Sequence, residues 1–212
     1  MTTEVGARSL TGAGARPGDS AVLTHSTPYP WPYDAAFAPS RCALIVHDTS
    51  SPPPAVGDAA WATVARLAAA VHAAGGLVVA LQQHRPPRLG RRTEAGPSVS
   101  PGLPSDLRIE APAWDGFYGT VLDQELRARG RDQLLLTGAW LEVGVHSTMR
   151  AANDRGYECL LVADACLSGD PALRAASLSS IEMSGGIFGA VGTSTELLDL
   201  LAPTPSDLDV IS

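Results

Sequence analysis

Short apolar runs alternate with longer segments of helical periodicity along the chain from residue 41 onward. The apolar runs predict six strands, at residues 42–47, 77–81, 107–110, 133–137, 159–163 and 187–191. Polar caps and glycines predict helices from Asp58 to the glycine pair at 75 and 76, from Thr120 to Gly130, at about 143–155 and 171–184, and after Ser194. Apolar strands that alternate with helices need cover on both faces. The chain is therefore predicted to form a three-layer α/β sandwich around a mostly parallel six-stranded sheet.

The carboxyl ends of the predicted strands are where folds of this class bind ligands. The residues just beyond those ends are Asp48, Gln82, Ala111 and 138–140. The 24 residues from 82 to 105 are rich in proline and arginine and form a longer loop than a simple connection requires. We expect this loop to cover a substrate; a surface loop without a role is the alternative.

The length of the chain, 212 residues, suits one domain with a sizeable core. Residues 1–28 lack periodicity and are rich in small and polar residues. We therefore predict a flexible N-terminal arm at 1–28 and a single domain at 29–212. The segment "PYPWPYD" at 28–34 is expected to pack in an extended form, because proline disfavours a helix there.

The formal net charge of −7 comes with no basic block and few aromatic residues, which argues against nucleic acid or an anionic membrane as a partner. No apolar stretch is long enough to span a membrane, and the N-terminus has no apolar signal core. We expect a cytoplasmic protein that binds a small molecule. All 15 basic residues are arginine, so lysine chemistry is excluded.

Three motifs carry a resemblance to a known family: "ALIVHDTS" at 43–50, "LLLTG" at 134–138 followed by a helix and "GYECLLVADA", and "GAVGTSTELL" at 189–198. In order and spacing, residues 27–201 resemble the isochorismatase-like hydrolases, and within them the vinyl ether hydrolases of siderophore and phenazine pathways. The resemblance implies a cofactor-independent hydrolase of secondary metabolism, such as antibiotic biosynthesis. It also implies self-association as a homodimer or larger homo-oligomer.

Amidases of this family use an aspartate, a lysine and a cysteine, whose positions correspond here to Asp48, Ala111 and Gly144. The missing cysteine, which the vinyl ether hydrolases also lack, excludes thiolate acyl transfer at this position. In those hydrolases the aspartate is thought to protonate the enol ether carbon, after which water adds and pyruvate is released. The resemblance makes Asp48 the catalytic general acid, although those enzymes keep the lysine that Ala111 replaces.

Several residues are implied to bind the substrate: Gln82, Arg91, Trp140, Gly144, Trp114 and Phe117. Arg91, or its neighbour Arg92, would hold a carboxylate through two parallel hydrogen bonds. Trp140 would wall the pocket, and the helix start at Gly144 would favour an anion. The alternatives are a strand-end amide for Gln82, a solvated charge for Arg91, a helix start that serves only its own capping for Gly144, and core packing for the three aromatic residues.

Three neighbouring residues have simpler interpretations. His47 is predicted to face away from Asp48 and to be packed or hydrogen-bonded, because side chains alternate along a strand. Asp115 is a loop carboxylate that faces water or, alternatively, a second acid near Asp48. His84 lies near a region where nicotinamidase relatives bind metal, but the other ligands of that set are missing, so we predict no metal and no cofactor.

Two alternatives to vinyl ether hydrolysis follow from the missing lysine. The site could perform a proton transfer such as dehydration, cyclisation or rearrangement on a larger and less anionic intermediate. Alternatively, the chain could be a catalytically inactive member that acts as a binding partner. The retained Asp48 and Gln82 favour an enzyme.

Overall fold

The computed structural model describes residues 21–49, 58–83 and 103–202, except for the side chains of Thr49, Asp58 and Ser184. Six strands form one sheet in the order β3-β2-β1-β4-β5-β6, and all neighbours run parallel. The strands are β1 Cys42–Thr49, β2 Leu77–Gln83, β3 Leu107–Ala111, β4 Gln133–Ala139, β5 Glu158–Leu167 and β6 Ala190–Gly192. The predicted α/β architecture is confirmed.

Helices cover the sheet: α1 Asp58–Ala73, α2 Leu122–Ala128, α3 His146–Asn153, α4 Pro171–Glu182 and α5 Ser194–Leu201. A π-helical turn, Leu141–Val145, leads directly into α3, so this helical segment begins two residues before the predicted start. Gly130 and Gly156 follow α2 and α3 with φ of 63° and 82°, the left-handed conformation that the predicted stop signals require. Among the described helices, none combines the length and apolarity needed to cross a membrane.

Apolar side chains fill both faces of the sheet, which accounts for the nearly continuous apolar character of the strands. Ile45 and Leu81 lie on one face and pack in a core with Met149 of α3. Leu44 lies on the other face in a second core that includes Leu67 of α1. Helices α2, α3 and α4 therefore form one outer layer, and α1 and α5 form the other.

Residues 21–28, which the sequence assigns to an arm, pack against the domain. Leu23 and Trp31 form an antiparallel bridge and are both 0% exposed. Thr27 forms a second antiparallel bridge with Val191 of β6, through hydrogen bonds of 2.9 and 2.8 Å. Residues 21–28 thus belong to the folded part of the chain, and residues 1–20 of the predicted arm lie outside the described residues.

The last strand is shorter and later than predicted. The prediction at 187–191 began with Ile187, but this side chain is 56% exposed and precedes β6 by three residues. Gly185, Gly186 and Gly189 have φ values of 76°, 78° and 125°, so the backbone turns until residue 190. Apolar residues alone could not distinguish this turn from a strand.

Candidate functional site

Asp48 stands near the carboxyl end of the central strand. In β1 it pairs with Gln82 of β2, and its side chain is 1% exposed. The chain runs from β1 outward through β2 and β3 on one side and through β4, β5 and β6 on the other. Asp48 therefore lies at the switch point of the sheet, where parallel α/β proteins bind their ligands.

Two consecutive glutamines end β2, and the structure gives them different surroundings. Gln82 is half-buried and pairs with Asp48, whereas Gln83 is 1% exposed. The Nε2 group of Gln83 donates hydrogen bonds to the carbonyl oxygens of Ala113, at 3.3 Å, and Trp114. Gln83 thus fastens the loop that follows β3, a contact that the sequence did not reveal.

Gly144 faces the same glutamine. A Cβ atom at Gly144 would lie 2.1 Å from Oε1 of Gln83, so the carboxamide already fills the volume that a longer side chain would enter. The N–H groups of Val143 and Val145 both donate to the carbonyl oxygen of Trp140, at 3.1 and 3.2 Å. These amides of the π-helical turn are engaged within the turn.

His47 lies beside Asp48 in β1 and is 0% exposed. Burial lowers the pKa of its imidazole to about 4, and the nearby carboxamide of Gln83 opposes this shift only in part. The ring is therefore neutral near pH 7. The predicted burial is confirmed, but neither ring nitrogen completes a hydrogen bond with any group in the described ranges.

Trp140 and Glu142 form a second contact at the carboxyl edge, near the end of β5. Oε1 of Glu142 accepts a hydrogen bond of 2.7 Å from the backbone N–H of Gly169. The half-buried Trp140 ring lies 4.0 Å from where a Cβ atom on Gly169 would stand. This arrangement places Trp140 at the edge of the sheet that holds Asp48, and Glu142 is a polar residue that the sequence did not single out.

The loop after β3 separates the remaining predicted residues. Ala111 is 0% exposed and pairs with Gln83. Trp114 is half-buried, whereas Phe117 lies in the core with its ring centroid 5.7 Å from that of Tyr157. Oδ1 of Asp115 accepts a 2.8 Å hydrogen bond from the N–H of Phe117, which stabilises the turn.

The described ranges contain few side chains suited to thiol catalysis or to metal binding. Cys42, Cys159 and Cys166 are buried free thiols, and burial raises the pKa of Cys166 to about 12. No group of three histidine, cysteine, aspartate or glutamate side chains within the described ranges could hold a metal ion. Arg91, Arg92 and His84 lie outside the described residues.

The sheet order defines a parallel α/β protein, and Asp48 lies at the switch point of its sheet. The isochorismatase domain model matches residues 45–196, and the chain belongs to the isochorismatase family. Among curated proteins, the ureidoacrylate amidohydrolase RutB of Methylorubrum extorquens is 42% identical over 80 residues. That match covers 37% of this chain and 32% of the relative, so the chain spans about a third of the length of such relatives.

Solved structures share the fold over most of the chain. A cysteine hydrolase from Pseudomonas syringae pv. phaseolicola superposes with a TM-score of 0.64 at 21% identity, covering 78% of this chain and 94% of that protein. An isochorismatase family protein from Burkholderia thailandensis gives a TM-score of 0.61 at 25% identity, with 76% and 96% covered. These likenesses support the architecture described above.

Proposed function

We propose that the protein is a cofactor-independent enzyme that hydrolyses a vinyl ether such as isochorismate, with Asp48 as the general acid. One observation carries the proposal: a carboxyl group is present at the switch point of the sheet, while Gln83 fills the volume in front of Gly144. The resemblance places the amidase nucleophile at this glycine. An acid without a neighbouring nucleophile suits proton transfer to an enol ether better than acyl transfer.

The proposed reaction balances with one water molecule. Asp48 gives its proton to the terminal carbon of the vinyl ether, and the adjacent carbon becomes part of an oxocarbenium ion. Water adds to that carbon and loses a proton, which restores the acid. The hemiketal then breaks its bond to the alcohol oxygen and releases pyruvate and the alcohol.

The curated relatives named ureidoacrylate amidohydrolases raise amide hydrolysis as a competing function. Gly144 offers no nucleophilic side chain for acyl transfer. The three cysteines are buried. These features favour vinyl ether chemistry over amide hydrolysis for this chain.

Purified protein incubated with isochorismate and with 2-amino-2-deoxyisochorismate tests the proposal, with pyruvate measured by coupled reduction to lactate. We expect pyruvate release by the wild type and a fall of about 10² to 10⁴-fold in Asp48→Ala and Asp48→Asn. Asp132→Asn is the matched control, because Asp132 is half-exposed and pairs with Arg41 at the amino end of β4. Full activity in Asp48→Ala, or hydrolysis of ureidoacrylate in preference to both vinyl ethers, would contradict the proposal.

The buried Ala111 favours a second candidate, a non-hydrolytic proton transfer on a larger and less anionic intermediate. An alanine leaves no positive charge at this position to hold a substrate carboxylate. This candidate predicts no pyruvate from either vinyl ether, together with a binding site that Asp48→Ala still occupies. Self-association, a cytoplasmic location and a role in secondary metabolism stay predictions.

A further inference from the structure

Two buried polar side chains lie near each other: Gln83, which packs against Gly144, and His47. His47 is 0% exposed and Gln83 is 1% exposed. Both ring nitrogens of His47 and Oε1 of Gln83 are without a hydrogen-bond partner in the described part of the chain. Buried polar atoms in proteins are nearly always paired with protein groups, ordered water or a ligand. Three unpaired atoms in one place therefore point to a bound group.

The hydrogen bonds of Gln83 fix which of its atoms is left to bind. Its Nε2 group donates to the carbonyl oxygens of Ala113 and Trp114, so both hydrogens of the amide are engaged. The opposite atom, Oε1, points to Gly144, where a Cβ atom would lie 2.1 Å away. Gln83 can thus offer a bound molecule a hydrogen-bond acceptor, and only an acceptor.

The imidazole of His47 adds one donor and one acceptor. Burial keeps the ring neutral near pH 7, so one nitrogen carries a hydrogen and the other is bare. The carboxamide of Gln83 lies near the ring and opposes the lowering of its pKa by burial only in part. Since neither nitrogen has a partner in the described ranges, the N–H and the bare nitrogen are both available to a bound molecule.

We propose that His47 and Gln83 form a subsite for one hydroxyl group, supplied either by water or by the substrate. A hydroxyl can donate to the bare nitrogen or to Oε1 and can accept from the imidazole N–H. A carboxylate would meet two acceptors without a cation, and an ammonium group would be buried between neutral side chains at high cost. The geometry is independent of the reaction, but the identity of the substrate in this inference rests on the proposed function.

The two sources of the hydroxyl give the subsite different roles. Bound water would be held near the carboxyl end of β1, where the proposed hydrolysis consumes a water molecule. A substrate hydroxyl would instead orient the ring of an isochorismate-like molecule. In both cases His47 and Gln83 are positioning residues, because they orient the bound group while Asp48 transfers the proton.

A high-resolution crystal structure of the full chain distinguishes the sources. An ordered water within hydrogen-bonding distance of a His47 ring nitrogen and of Gln83 Oε1 identifies water as the bound group. If the crystal shows no such water, isochorismate is titrated into Asp48→Asn labelled with ¹⁵N at histidine. A change in the chemical shift of the bare His47 nitrogen then identifies a substrate hydroxyl.

The inference is overturned if the crystal shows protein groups on both His47 nitrogens and on Gln83 Oε1, or if neither water nor a chemical-shift change is found. These outcomes do not depend on turnover. A failed hydrolysis assay together with an ordered water at the subsite would overturn the proposed function and leave the subsite intact.

Two variants separate a functional histidine from a merely structural one. His47→Leu removes the unpaired polar atoms, so we expect the free energy of unfolding to stay equal or rise, while kcat/KM falls about tenfold or more. Thr137→Val is the matched control, because Thr137 is also fully buried but its hydroxyl donates to the carbonyl oxygen of Ile45 at 3.2 Å. It should lose stability and keep its turnover. Unchanged kcat/KM in His47→Leu would count against the subsite.

Discussion

Gln83 and Gly144 are packed so closely that neither position can change size independently: a Cβ atom at 144 would come within 2.1 Å of Oε1 and 2.7 Å of Cδ of Gln83. The carboxamide cannot swing away freely, because its Nε2 group is bonded to the loop carbonyls at 113 and 114. The two residues from β2 and from the turn before α3 therefore form one structural unit.

Gly144→Ala is expected to destabilise the protein by about 1–3 kcal/mol, because the added methyl overpacks a buried site. Gln83→Ala should also destabilise it, but it opens the volume that the methyl needs. A double-mutant cycle measured by urea denaturation should therefore show the double variant to be more stable than the sum of the single losses predicts. Strict additivity would show that the two side chains do not share this volume.

Stability should depend on pH through His47. The pKa of this imidazole is about 4 in the folded protein and about 6.5 when unfolded, so the unfolded state binds more protons between these values. The free energy of unfolding should therefore fall as the pH drops, by about 2 kcal/mol between pH 7 and pH 5 from this group. Urea denaturation at both pH values, compared between wild type and His47→Leu, isolates the contribution.

The control for this experiment is Gln124→Leu, which alters an exposed side chain that does not titrate. This variant should keep the pH dependence of the wild type. If His47→Leu also keeps it, another group is responsible.

Gln133 should hold the segment before β1 in place. Its Nε2 group donates to the carbonyl oxygen of Ala36, and its Oε1 accepts the N–H of Ala38, both at 2.9 Å. Gln133→Leu would leave these backbone groups without a partner, so we expect a loss of about 2–3 kcal/mol in the free energy of unfolding. The exposed Gln124→Leu should change it by no more than about 0.5 kcal/mol; equal losses in both variants would contradict this role.

Glu142 is expected to fix the loop that follows β5. Glu142→Ala removes the acceptor for the N–H of Gly169 and should cost about 1–2 kcal/mol, while Glu142→Gln keeps an oxygen acceptor and should lose much less. Thermal unfolding followed by circular dichroism measures both variants. Equal losses in the alanine and glutamine variants would show that the negative charge, and not the hydrogen bond, matters.

The fold could be predicted because each strand carries its own local signal. The run from Cys42 to Val46 is apolar throughout, which is the pattern of a strand buried on both faces, and Gly130 and Gly156 mark helix ends by their conformation. The position of Asp48 followed from the same pattern. Strand boundaries that depend on turns, as at Ile187, were less predictable because an exposed apolar residue looks the same in sequence as a buried one.

The details of the site depend on which face of its strand each side chain occupies, and the sequence alone does not fix this. The prediction ended the second strand at residue 81 and named Gln82 as the substrate-binding glutamine, whereas the glutamine that packs against Gly144 is Gln83. A shift of one residue reverses the face of every side chain in a strand, and only the pairing with β1 and β3 decides it. Glu142 was missed for a related reason, because its partner is a backbone amide 27 residues away.

The bridge between Thr27 and Val191 affects how the edge of the sheet can interact with other protein molecules. Strand β6 is the last strand of the sheet, and an uncovered strand edge offers hydrogen-bonding groups to any passing chain. Because Thr27 takes both the N–H and the carbonyl of Val191, the protein uses its own leading segment to block that edge against intermolecular strand pairing. The segment at 21–28, which the sequence assigned to a flexible arm, thus protects the edge of the sheet from aggregation.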